Sequence, residues 1–92
     1  MREPIAALTR QEGWRAEGAA ARVHYEGASE QFAVEFYAET ERVLYWSVPT
    51  EEAESGTAAP VPRKHIPDPL RRRVRDDLET AGVDPATERH EL

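Results

Sequence analysis

A chain of 92 residues with no cysteine, 33% charged residues and a formal net charge of −6 has room for one domain with a modest core. The missing cysteine excludes disulfides and thiolate-bound zinc, and the negative charge gives the molecule as a whole no long-range attraction to nucleic acid or to an anionic membrane. No apolar run approaches the roughly 20 residues that cross a bilayer, and residues 1–10 lack the apolar stretch of a signal peptide, so the expectation is one cytoplasmic domain over residues 1–92 with no membrane partner.

Pro4 suits a first helical turn, Ile5 and Leu8 are spaced for one face, and Gly13 suits a left-handed C-terminal cap. This spacing predicts a short helix over 4–12. It is too short to stand alone and must dock on other elements.

From Trp14 the apolar period changes to two. Ala21, Val23 and Tyr25 alternate with Arg22 and His24, and Phe32, Val34 and Phe36 alternate with Ala33 and Glu35. Such alternation marks strands with one buried face, and the short breaks at 18–19, 27–30 and 39–41 predict an antiparallel meander of four strands. The last strand, Val43 to Val48, is apolar on both sides. With a three-residue turn at 39–41, Phe36 faces Leu44, Val34 faces Trp46 and Phe32 faces Val48, an apolar pair at each inward position. This register places Leu44, Trp46 and Val48 inside and leaves Tyr37, Val43 and Tyr45 on the other face.

Residues 49–62, rich in Pro, Thr, Ala and Glu, read as a flexible loop. A second helix follows: Asp68 is placed to cap it, Pro69 occupies the first turn, Leu70, Val74, Leu78 and Ala81 line one face, and Gly82 ends it, with Val83 positioned for a Schellman contact to Leu78. Residues 84–92 read as a loosely held tail. The expected fold is α+β, in the order α-β-β-β-β-α. Both helices are expected on the sheet face carrying Val23, Val34, Phe36, Leu44 and Trp46.

Catalytic and metal-binding patterns are missing. His24, His65 and His90 have no second nitrogen ligand at metal spacing. Ser29, Ser47 and Ser55 sit in no nucleophile motif, and the five glycines are too scattered for a phosphate loop. The sequence therefore points to a non-catalytic protein with neither metal nor cofactor.

Charge is distributed unevenly. Residues 1–62 carry a net charge of −6, residues 63–75 of +5 and residues 76–92 of −5. The basic group is Arg63, Lys64, Arg71, Arg72, Arg73 and Arg75. Pairing at i,i+4 would join Arg72 to Asp76, Arg73 to Asp77 and Arg75 to Glu79. Yet cations in the first turns and acids in the last oppose the helix dipole by roughly 0.3–1 kcal/mol per charge, so helix stability alone does not account for this order. An anionic partner such as RNA, the acidic residues 51–54, or acids from a second subunit would each account for it.

A second surface is the outer sheet face, where Arg22, His24, Tyr37 and Tyr45 are expected to cluster. These residue types suit a protein interface, and a cross-strand tyrosine pair would equally stabilise the sheet. Three functional readings follow in order of support. The first is a protein-interaction or assembly module, self-associating as a homodimer or homo-oligomer through the open sheet face or an edge strand. The second is a nucleic-acid binder acting through the basic helix, and the third a small-ligand or catalytic protein.

Overall fold

The computed structural model describes residues 3–26, 31–49 and 58–92. Helix α1 (Glu3–Thr9) precedes strands β1 (Trp14–Glu17), β2 (Ala20–Glu26), β3 (Gln31–Tyr37), β4 (Arg42–Val48) and β5 (Ala59–Val61). A 3-10 turn at Arg63–His65 leads into helix α2 (Asp68–Thr80), and a second 3-10 turn covers Pro85–Arg89. The strands form one antiparallel sheet in the order β1-β2-β3-β4-β5. The α+β architecture follows the alternation and helix-end signals, with the short β5 added.

Helix α1 ends earlier than its glycine suggests. The Thr9 hydroxyl donates back to the carbonyl of Ala6 at 3.0 Å, and the chain turns through Gly13 at φ 87° into Trp14. Strands β1 and β2 are joined by the two-residue turn Gly18-Ala19, with Gly18 at φ 58° supplying the positive φ that tight hairpins need.

The β3–β4 register differs from the expected one by a single residue. The turn holds four residues, 38–41, with Glu41 at φ 54°, so Phe36 faces Val43, Val34 faces Tyr45 and Phe32 faces Ser47. A one-residue shift moves every side chain of a strand to the opposite face. Val43 and Tyr45 therefore point into the core, while Leu44 and Trp46 lie outside. This register turns the Ser47 side chain to the inner side, across from Phe32. Ser47 lies near the end of its strand, only half-buried, and the buried Tyr45 hydroxyl has partners.

A single buried cluster joins Ile5 and Leu8 of α1, Leu70, Val74 and Leu78 of α2, and the inner sheet residues Trp14, Val23, Val34, Phe36, Val43 and Tyr45. Both helices thus cover the same sheet face.

Helix α2 begins without a side-chain cap: Pro67 takes the capping position, and Asp68 pairs with Arg71 rather than with the backbone. Its end follows the spacing. Val83 N–H donates to Leu78 O at 2.9 Å and Gly82 N–H to Glu79 O at 3.0 Å, with Gly82 at φ 82°. These are the two bonds of a Schellman motif.

Two segments depart from the sequence reading. Of the loop expected over 49–62, residues 59–61 form β5 beside β4, and residues 50–57 lie outside the described residues. The segment read as a loose tail is anchored. Asp84 caps its turn by accepting the Ala86 N–H at 2.9 Å, and Thr87 and Glu88 are buried. Val43 N–H then donates to His90 O, and Leu92 N–H to Val43 O, both at 2.9 Å, so residues 90–92 lie along β4.

Candidate functional site

Most of the basic segment is engaged within the chain. Glu88 has no exposed surface and receives Arg63 on both oxygens, through Nε to Oε2 and through Nη2 to Oε1 at 3.0 Å. Arg75 Nη1 donates to the same Oε1 at 2.5 Å. The Tyr45 hydroxyl lies 2.8 Å from Oε2 and 2.9 Å from the Glu88 carbonyl, sharing its one proton between them. Burial alone would raise the Glu88 carboxyl, but the hydrogen bonds from Arg63, Tyr45 and Arg75 outweigh it and hold it below its ordinary value. Burial, reinforced by the bond to Glu88, pushes the Tyr45 hydroxyl up.

Arg71 pairs with Asp68, and Arg73 donates from Nη2 to the carbonyl of Glu12 at 3.0 Å while its Nε lies 3.5 Å from Asp77. Of the expected i,i+4 pairs only Arg73 with Asp77 forms. Arg75 turns to Glu88 in place of Glu79, and Lys64 and Arg72 have no ion-pair partner among the described residues. Of the α2 arginines, Arg73 and Arg75 therefore meet acceptors brought by other parts of the chain, the Glu12 carbonyl and the Glu88 carboxylate, which offsets part of the unfavourable charge order along the helix. Sequence reasoning missed Glu88. The one available signal was Asp84-Pro85, which repeats the Asp68-Pro69 pattern of a helical start.

Among the described residues no helix lies over the outer sheet face. One row across the strands runs Arg15, Arg22, Glu35, Leu44, and the next His24, Ala33, Trp46, Pro60. Trp46 Nε1 donates to Glu35 Oε1 at 2.5 Å, and the Tyr37 hydroxyl donates to the same oxygen at 3.2 Å, leaving Glu35 only 8% exposed. Arg22, directly across from Glu35, reaches Glu17 at 3.5 Å instead, and its buried Nε has no partner. Partial burial and then the charges of Arg22 and Arg15 hold the His24 imidazole below its ordinary value. Partial burial and then Glu35 raise Tyr37.

Arg22, His24 and Tyr37 thus share this face as expected. Tyr45 does not: the register carries it into the core, 1% exposed, and Trp46 takes the outward place.

At the β1 edge of this face an open cleft is lined by Gln11, Glu12, Gly13, His24, Arg73 and Asp77. Its polar groups are largely committed. Gln11 Nε2 donates to Asp77 O, and Trp14 Nε1 to Asp77 Oδ2, both at 2.8 Å. Among the described residues no group of three or more His, Asp or Glu side chains could hold a metal ion, and no helix is long and apolar enough to cross a membrane.

No curated protein and no solved structure matches the chain. A family model does match, over residues 5–90, a span that takes in most of α1, the whole sheet, α2 and the Glu88 cluster. The chain belongs to the family of unknown function DUF7538.

Proposed function

We propose that this protein is a small, non-catalytic, cytoplasmic interaction module that meets a partner protein through its outer sheet face. The observation that carries the reading is the make-up of that face. On a chain of net charge −6 it sets Arg15, Arg22 and Arg42 against Glu17, Glu26 and Glu35, a locally neutral surface, and adds half-buried Leu44, Trp46 and Tyr37. Aromatic and arginine side chains in a patch free of net charge are the composition of interface centres. The cytoplasm suits a chain without cysteine.

The test places a photo-crosslinking side chain at position 44 in the native host, with position 72 on α2 as control. A discrete protein adduct at 44 that disappears in Trp46→Ala is the expected result. No adduct at 44, or the same adducts at 72, overturns the reading.

Nucleic-acid binding through α2 has less support, because Arg63, Arg71, Arg73 and Arg75 are held by acceptors in the same chain. Titration against RNA at low salt separates it, since binding by Lys64 and Arg72 would weaken steeply as salt rises.

A further inference from the structure

Strand β1 ends the sheet, and among the described residues it pairs only with β2. The tight turn after Glu17 makes Glu17 and Ala20 a hydrogen-bonded pair, and alternation along an antiparallel ladder makes Arg15 and Arg22 the next one. The main-chain groups of Trp14 and Ala16 then face away from the sheet. The Trp14 N–H is already taken by Gln11 O at 3.3 Å, which leaves the N–H and C=O of the exposed Ala16 at the free edge.

The charges beside that edge are unbalanced. Arg15 stands directly across from Arg22, and like charges in facing positions destabilise a sheet. Arg15 has no ion-pair partner among the described residues, while Arg22 reaches Glu17, whose side chain is 53% exposed. The segment Trp14-Arg15-Ala16-Glu17 is also its own complement. Laid antiparallel against a copy of itself with Ala16 at the centre, it sets each Arg15 against the partner's Glu17.

We propose that β1 pairs edge to edge with β1 of a second copy, antiparallel and centred on Ala16, giving a two-fold dimer with one continuous ten-stranded sheet. Ala16 of each chain exchanges both main-chain hydrogen bonds with its counterpart, and two Arg15–Glu17 contacts flank the axis. Each Trp14 position meets the other chain's Gly18, around which a side-chain carbon would find nothing within 4 Å, so the approach is unobstructed. Such an isologous contact uses the same patch on both chains and closes on itself. It stands apart from the outer-face reading, because it uses the main chain of an edge rather than the Trp46 surface.

The test is the mass of the full chain in solution, by sedimentation equilibrium at low salt. The chain is expected to dimerise. Arg15→Glu and Glu17→Arg each set two like charges together across the axis and are expected to weaken the dimer by about tenfold or more. Mixed in equal amounts, they restore it as a heterodimer, since every facing pair is then opposite in sign. Loss of folding cannot mimic this: Arg15→Glu places an acid across from Arg22 and is expected to stabilise the monomer while weakening the dimer. Ala16→Cys, in a chain with no other cysteine, is expected to cross-link the dimer on oxidation. A chain that stays monomeric up to about 1 mM, a dimer indifferent to either charge reversal, or a mixture that fails to recombine overturns the proposal. Trp46→Ala is expected to leave the dimer intact, which keeps this test independent of the outer-face one.

Discussion

The Tyr45 hydroxyl sits 2.8 Å from Oε2 of Glu88, a bond between the middle of the sheet and the last turn of the chain, 43 positions apart in sequence. It explains how a strand that is apolar on both sides selects a face. Tyr45 can be buried only where its hydroxyl finds an acceptor, and Glu88 supplies two, its carboxylate and its carbonyl. Removing the hydroxyl by Tyr45→Phe is expected to cost about 1–3 kcal/mol, because a buried acceptor loses its donor. Tyr45→Ala is expected to cost about 3–5 kcal/mol and Trp46→Ala clearly less. Urea denaturation of the three variants checks the order, and a larger loss at Trp46 than at Tyr45 would sink this register.

Acid should act through Glu88. Its carboxyl is held below the ordinary value of 4.5, so the unfolded chain binds its proton first as pH falls. The stabilisation is fully present above the ordinary value and is lost as pH falls through the lowered one. Glu88→Gln is expected to be less stable at neutral pH, by about 3 kcal/mol, and to show a shallower loss of stability below pH ~4.5. Unfolding midpoints against pH for both proteins test this, and parallel curves would be the contrary result.

At high pH the sign reverses. The raised Tyr45 hydroxyl stays protonated in the fold while the unfolded tyrosine ionises near 10.0, so stability falls as pH rises above that value. Tyr45→Phe removes this part of the alkaline loss. Thermal melts from neutral pH to strongly alkaline pH, compared between the two proteins, would reveal it.

The arginines of α2 should divide by partner. Arg72→Gln is expected to change stability by less than about 0.5 kcal/mol, as at an ordinary exposed site. Arg75→Gln takes one charged donor from the buried Glu88 and is expected to cost about 1.5–3 kcal/mol. Equal effects of the two substitutions in denaturant titrations would contradict the network.

Glu41 carries a side chain at φ 54°, a left-handed conformation in which most L-residues are strained. Glu41→Gly is expected to raise stability by up to about 1 kcal/mol, through relief of that strain less the entropy of glycine in the unfolded chain. A destabilised variant would argue against the four-residue turn.

The fold was legible wherever a local period or cap decided it. The alternation in Ala21–Tyr25 and Phe32–Phe36 and the Gly82-Val83 helix end each named their own geometry, and the structure follows them. Strand β4 was not legible, because Val43 to Val48 offers two apolar faces and its choice rests on Glu88, far away in sequence. Arg22, His24 and Tyr37 were placed correctly on the outer face from period-two alternation alone. Tyr45 failed with the register, and Trp46 was hidden by the same error. The roles of Arg63 and Arg75 could not be read from helical spacing, since their shared partner lies in a segment whose only sign of structure is Asp84-Pro85.

Pro60 lies within β5 and Pro62 just beyond it, at the sheet edge opposite β1. Proline has no N–H to donate, so this side of the sheet cannot template another strand in register. Nearer the start of β4, both main-chain groups of Val43 are taken by residues 90–92. A sheet with one blocked side and one open side cannot propagate: a strand added at the open side uses up the only place for growth. Concentrated solutions of the protein are therefore expected to stop at a finite particle rather than lengthen into filaments, with the scattering intensity per unit concentration levelling off as concentration rises.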